Sequence, residues 1–218
     1  SKQRFVKNVL LRFCLGLCEM TAKREFDNPF DDQIVGQLLD DVGKISQPWH
    51  DLLMKNVKKY LQRLECGLND TDPDNYSMYT GSSGIALLYY HLSSTTFCQS
   101  TSEQQQLLSK ALDILESNLR KLNGKRLTFL CGDAGVYALS AVLYSKNGDM
   151  EKCEKCIQKL EAMWEVVASD PSLPDEVLYG RAGYLYSVLF IQTHLGKEKI
   201  SDAIIEQVII INKRYNNY

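Results

Sequence analysis

No uninterrupted apolar run of about 18 residues occurs in this 218-residue chain, so the sequence offers no candidate membrane-spanning helix. Alternation of apolar and polar residues over strand lengths is missing as well, which removes the main signal for a half-buried sheet. Prolines number only five, leaving room for long helices. An excess of positive charge is also lacking: 25 Lys and Arg against 27 Asp and Glu give a formal charge of −2, which argues against a general nucleic-acid surface. Histidine is scarce, at His50, His91 and His194. Cysteine is present, but seven residues at irregular spacing fit reduced thiols of the cytosol better than a secreted disulfide framework. With 44% hydrophobic residues the chain has enough apolar material for one core.

What is present is a repeat. Tyr79-Thr80-Gly81-Ser82-Ser83-Gly84-Ile85, Leu130-Cys131-Gly132-Asp133-Ala134-Gly135-Val136 and Leu178-Tyr179-Gly180-Arg181-Ala182-Gly183-Tyr184 each place two glycines just before an apolar run. The leading glycines lie 51 and then 48 residues apart, a period that accommodates two helices and their connections.

Helical periodicity fills the intervals. Leu107, Leu108, Ala111, Leu112, Leu115, Leu119 and Leu122 recur at three- and four-residue steps and form one apolar stripe. Similar stripes run from Trp49 through Leu64 and from Cys153 through Leu160 to Met163 and Trp164, as expected of outer helices with one wet face. The segments after each glycine pair are apolar over most of their circumference, as in 85–90, 136–144 and 184–191, and read as inner helices. Loops are expected at Gly67 to Ser77, Asn123-Gly124, Asn147-Gly148 and Pro171 to Asp175, and a first outer helix pair near 33–67. The fold class is therefore all-α, built from helical hairpins laid side by side as a solenoid or closed into a ring.

A glycine at a helix start permits a positive backbone dihedral and the close approach of another segment, while the first amide groups of the helix lack internal partners. Three such starts directed to one place would form an anion-friendly pocket; as tight turns they would serve packing alone.

These motifs, together with Arg24-Glu25-Phe26-Asp27-Asn28-Pro29-Phe30, Thr128-Phe129 before the second glycine pair and Glu176-Val177 before the third, resemble the lanthionine synthetase C-like (LanC-like) family, eukaryotic relatives of the bacterial lantibiotic cyclases. The resemblance covers roughly residues 22–210. It implies an α/α toroid of seven hairpins around a cavity, of which this chain carries about three as a partial ring, with zinc and glutathione as cofactor and co-substrate. The activity implied is addition of the glutathione thiol to dehydroamino acids left in proteins when phosphoserine or phosphothreonine loses phosphate, so the partners are glutathione and phosphorylated or dehydroamino-acid-containing proteins. Zinc would hold the sulfur as thiolate, a nearby acid or base would manage protons, and cations would hold carboxylates or departing phosphate. The family's zinc ligands lie in Cys-His-Gly and neighbouring cysteine motifs; this chain contains no Cys-His-Gly and no histidine beside a cysteine, so it is expected to lack the zinc site and to be inactive alone, an amino-terminal portion of a longer protein. Alternatives are a non-catalytic glutathione-binding or signalling adaptor, or another α/α-toroid enzyme such as a glycosidase.

By the same resemblance, Arg24 matches a glutathione contact, its planar fork being suited to a carboxylate. Glu176 stands where the bacterial cyclases carry an acidic residue and is the acid/base candidate; as an ordinary loop residue it would lead into a helix cap. Asp133 and Arg181 occupy variable motif positions, either facing the cavity as relay and anion clamp or pairing with each other and capping neighbouring hairpins. Gly81, Gly84, Gly132, Gly135, Gly180 and Gly183 are the structural motif glycines. Cys153-Glu154-Lys155-Cys156 has redox spacing, but lies in a charged helical segment without a second pair and reads as structural. Cys131, at an inner-helix start, reads as a small buried hydrophobe ahead of a nucleophile.

Residues 1–20 form a basic amphipathic extension with Lys2, Arg4, Lys7 and Arg12. It reads as a presequence of mitochondrial type, a membrane-surface helix, or residues preceding a true start at Met20. Residues 21–218 are expected to be the partial toroid domain, cytoplasmic in location.

Overall fold

The computed structural model describes residues 38–215, and Arg24 and the 1–20 extension lie outside them. The chain divides between Gln62 and Arg63 into two compact units. In the first, Leu39 and Ile45 form an isolated antiparallel bridge around a turn. The Asp40 carboxylate accepts the N–H groups of Val42 and Lys44, and Gly43 takes a φ of 77°. Helix α1 (Gln47–Cys66) begins there and buries no residue; Leu52, Leu53 and Tyr60 are exposed along it. Its apolar stripe was expected to seat an outer helix; among the described residues only one helix occupies the stretch assigned to a pair, and its stripe is part exposed and part half-buried, with Trp49, Val57, Leu61 and Leu64 in the half-buried part.

The second unit consists of three helical hairpins: α2 (Ser82–Ser93) with α3 (Thr101–Leu119), α4 (Asp133–Lys146) with α5 (Met150–Ala162), and α7 (Arg181–Leu195) with α8 (Asp202–Tyr215). A short α6 (Trp164–Ser169) follows α5 after a break at Met163. The described residues contain no strand, so the all-α expectation holds.

Each boundary has a local cause. The Ser100 hydroxyl accepts the Glu103 N–H at the start of α3, and Asp149 accepts the Lys152 N–H at the start of α5, filling donors that the first turn leaves unused. The turn before α5 needs Gly148 at φ 79°, and the one before the second motif needs Gly124 at φ 74°, left-handed values that β-carbons disfavour.

Helix α4 is the core, packed against α3, α5 and α7, with nearly every residue from Asp133 to Tyr144 buried. Its inward Leu139 and Leu143 have at most 1% exposure and each contributes about 1.5–3 kcal/mol of burial. Helices α2 and α7 flank it and bury one side each: Leu88, Tyr186 and Leu189 remain 41–50% exposed, so the all-round apolar character of those segments is realised fully only in α4. The outer stripes behave as their spacing requires, burying Leu107, Ala111 and Leu115 in α3 and Cys153, Cys156, Ile157 and Leu160 in α5.

One side-chain device recurs, in which a tyrosine and a lysine of one hairpin meet a glutamate of the helix that precedes it. Lys110 of α3 pairs with Glu65 at 2.5 Å while Tyr89 of α2 points its hydroxyl at the same carboxylate; Lys152 of α5 pairs with Glu116 of α3 at 3.0 Å, and Tyr144 of α4 donates to it at 3.2 Å. In both, the lysine also lies over the tyrosine ring.

Candidate functional site

The six motif glycines obey one rule. A β-carbon on Gly81 would collide with the carbonyl of Asn75, on Gly84 with Met78, on Gly132 with Arg126, on Gly135 with Phe129, on Gly180 with Pro174 and on Gly183 with Val177. In every case the obstructing carbonyl lies six residues upstream. The loop before each inner helix doubles back so closely that only glycine leaves room for it. The positive dihedral expected at these positions does not occur: Gly81, Gly132 and Gly180 have φ of −114°, −138° and −115° and nearly identical ψ. Close approach alone demands the residue.

The doubled-back loop is held by a second repeated contact. The N–H following each leading glycine donates to the carbonyl seven residues earlier: Ser82 to Asn75, Asp133 to Arg126 and Arg181 to Pro174, at 2.8–3.0 Å. First-turn donors that would suit an anion are thereby consumed within the protein. Neighbouring loops are also joined, since the Tyr79 N–H donates to Leu130 and the Phe129 N–H to Gly183. Thr128 completes the seam, donating its hydroxyl to Leu178 at 2.6 Å while its methyl side fills the space beside Gly183.

Asp133 is 1% exposed and does not meet Arg181. One oxygen accepts the Tyr76 hydroxyl at 2.8 Å; the other accepts the N–H groups of Asn123 and Gly124. The carboxylate thus ties the first motif loop and the turn before α4 to the start of α4, where the helix dipole favours a negative charge. Burial, then the bond and charge of Asp133, push the Tyr76 hydroxyl up to about 12.

Arg181, also 1% exposed, is spread over the 170–175 loop: it donates to the carbonyls of Val167, Asp170 and Leu173 and pairs with Asp175 at 2.9 Å. A buried guanidinium survives only with its donors occupied in this manner. Glu176 is exposed at the end of the same loop, its carboxylate accepting the N–H groups of Leu178 and Tyr179.

The first two loops, with Tyr179 of the third, line an open cleft of about 630 Å³ whose wall includes Asp72, Asp74, Tyr76, Tyr79, Lys125, Arg126 and Cys131. Of the residues in the sequence motifs, Tyr79, Thr80, Cys131 and Tyr179 line it, and Asp133 stands behind it through Tyr76. Arg181 and Glu176 are not among its lining residues. Tyr76, Lys125 and Arg126 were not legible as site residues, since loops carry no periodicity; only their place just ahead of a glycine pair distinguishes them.

Along α2 and α7, His91, Phe129, Tyr186, Phe190 and His194 line a smaller apolar hollow of about 240 Å³. The Tyr90 hydroxyl lies 3.2 Å from His194 Nδ1, and burial, with Lys146 and His91 nearby, lowers the pKa of that imidazole. Among the described residues no cluster of three or more His, Cys, Asp or Glu side chains is placed to hold a metal ion, so these residues do not fit a zinc centre. Cys153 and Cys156 are buried free thiols on α5, the latter pushed up to about 12, chiefly by burial. No helix among the described residues is long and apolar enough to cross a membrane.

Helical hairpins welded at glycine-paired helix starts around a common cleft define a class, and comparison with known proteins identifies it. The family model described as lanthionine synthetase C-like protein matches residues 72–217, and the chain belongs to that family. It is 37% identical over 194 residues to the Glutathione S-transferase LANCL1 of Danio rerio, a match covering 87% of this chain and 46% of that relative. The chain thus spans about half the length of the curated relative it matches.

Proposed function

We propose that the three hairpins are consecutive sectors of an α/α toroid and that the protein binds glutathione and adds its thiol to dehydroamino acids in proteins. Three glycine pairs in register, each closing a loop over a carbonyl six residues back, with residues of all three loops on one cleft, carry this reading, together with the kinship to a glutathione S-transferase. In that family zinc supplies thiolate activation. The described residues do not fit such a centre.

The work proposed for this chain is binding and positioning. Asp133 and Arg181 fix the loops that carry the cleft wall, and a fixed wall is what orients a flexible tripeptide without a large entropic cost. Glu176 is the proposed acid/base group and Arg24 a proposed carboxylate contact.

The test is isothermal titration of the folded chain with glutathione, with and without zinc, followed by incubation with a dehydroalanine-containing peptide and mass spectrometry. Saturable binding is the expected result, and this chain alone is expected to leave the mass of the peptide unchanged. A cooperatively folded chain that does not bind glutathione would overturn the proposal for these residues.

A further inference from the structure

The cleft carries both signs of charge, and they do not neutralise each other. Lys125 and Arg126 line it from the 123–131 segment, Asp72 and Asp74 from the 72–80 loop. The six ion pairs among the described residues include none of these four side chains. The two loops that carry these charges are cross-linked to each other. Asp133 bonds Tyr76 of one loop and Asn123 and Gly124 of the other, the Lys121 ammonium grips the Pro73 carbonyl, and the Tyr79 N–H is fixed on Leu130. The Asp72 carboxylate is itself oriented by the Asp74 N–H at 3.0 Å.

The Tyr76 hydroxyl is committed to Asp133 behind the wall. Two carboxylates from one loop, and an ammonium with a guanidinium from the other, complement a ligand that carries an ammonium and a carboxylate a short distance apart. At about 630 Å³ the cleft lies within the roughly 300–1,000 Å³ usual for small-molecule sites.

We propose that this cleft binds the zwitterionic α-amino-acid head of a small peptide or amino acid, its carboxylate on Arg126 and Lys125 and its ammonium on Asp72 and Asp74. Glutathione presents such a head at its γ-glutamyl end; the inference rests on the preceding functional reading only in naming glutathione as the first ligand. The thiol and glycine ends then remain for groups outside the cleft.

Titration of the folded chain with four probes separates the possibilities: glutathione, γ-glutamylcysteine, cysteinylglycine and glutamate. Glutathione and γ-glutamylcysteine are expected to bind within a few-fold of each other and cysteinylglycine at least roughly tenfold more weakly, the loss of charge-assisted bonds at the head. Arg126→Ala and Asp74→Asn, both on exposed loop residues, should each weaken glutathione by roughly tenfold with an unchanged Tm. Equal affinity for cysteinylglycine, or a Kd indifferent to Arg126→Ala, overturns the head-group assignment and leaves glutathione binding standing. Arg126-dependent binding of glutamate without binding of glutathione upholds the zwitterion site and overturns the glutathione reading. Silence from all four probes on a folded chain overturns both.

Discussion

Substituting alanine at Gly135 sets two physical arguments against each other with opposite signs. Gly135 is the third residue of α4 and has ordinary helical surroundings, so helix propensity alone predicts that alanine stabilises by about 1 kcal/mol. The packing predicts the reverse: the new methyl would overlap the Phe129 carbonyl oxygen and stand 2.8 Å from its carbon and 3.0 Å from its Cα. All three atoms are backbone and cannot rotate away. Relief requires the 128–131 segment to withdraw, which stretches the Gly135 N–H bond to Thr128 and the Phe129 N–H bond to Gly183. Overpacking of this kind costs about 1–3 kcal/mol and each weakened bond about 0.5–1.5 kcal/mol, so a net loss of about 3 kcal/mol is expected. For a chain of this size that is roughly 6–12 °C in Tm. Urea and thermal unfolding of wild type and Gly135→Ala measure it directly. Gly124→Ala is the control: it has φ of 74° but nothing within 4 Å of its β-carbon, so only left-handed strain applies, about 1–2 kcal/mol. A Gly135→Ala protein as stable as wild type, or more so, would refute the close-approach account of the motif.

Four further outcomes follow from the same geometry. Arg181→Met should cost about 3–5 kcal/mol, because the Asp175 carboxylate and three loop carbonyls lose their donor together, and urea unfolding should show it. Tyr76 should titrate by ultraviolet absorbance near 12, and Asp133→Asn should lower it only in part, since burial, the larger cause, remains; because its folded pKa is raised, the stability it contributes is present below about 10 and is lost as pH rises through the folded value. Glu116 has a lowered pKa, first through its bond to Lys152, so its contribution is present above the unfolded value and disappears as pH falls through the folded one; in Lys152→Ala this acid-side loss should shrink, as unfolding curves between pH 5 and pH 3 would reveal. Peptide mapping after brief iodoacetamide treatment should find Cys66 alkylated well before Cys153 and Cys156, since the first is exposed and the others are buried; equal labelling in the native state would contradict their packing.

The architecture was largely written in spacing. Leucines at three- and four-residue steps became the buried stripe of α3, and the apolar run after Gly132 became the core helix α4. The Trp49–Leu64 stripe shows the limit of such patterns, because periodicity describes a face without describing what covers it. The glycine register was visible, but its cause was not: the obstructing carbonyl is set by the path of an irregular loop, and no propensity encodes that path. Partners far apart in sequence were equally hidden. Nothing local connects Tyr76 with Asp133 across 57 positions, and the charges at Lys125 and Arg126 resemble any solvated pair until the loop opposite is placed.

The same contacts that define the repeat also determine how the cleft responds to damage. In most hairpin arrays neighbours interact through side chains along the helices, and the loops at the ends are the softest part. Here the loops before α2, α4 and α7 are themselves cross-linked, Tyr79 to Leu130 and Phe129 to Gly183 through the backbone, Tyr76 to Asp133 and Thr128 to Leu178 through side chains. The second loop therefore contacts both others, and the cleft wall cannot loosen at one position without loosening at the rest. Hydrogen exchange tests this. Amides of Tyr79, Phe129 and Asp133 should exchange with one shared opening energy approaching that of α4, and Asp133→Asn should lower protection at Phe129 as well as at Asn123 and Gly124, although the side chain does not touch Phe129. Independent exchange at the three amides would mean that the loops are merely adjacent and that the cleft owes its shape to the helices alone.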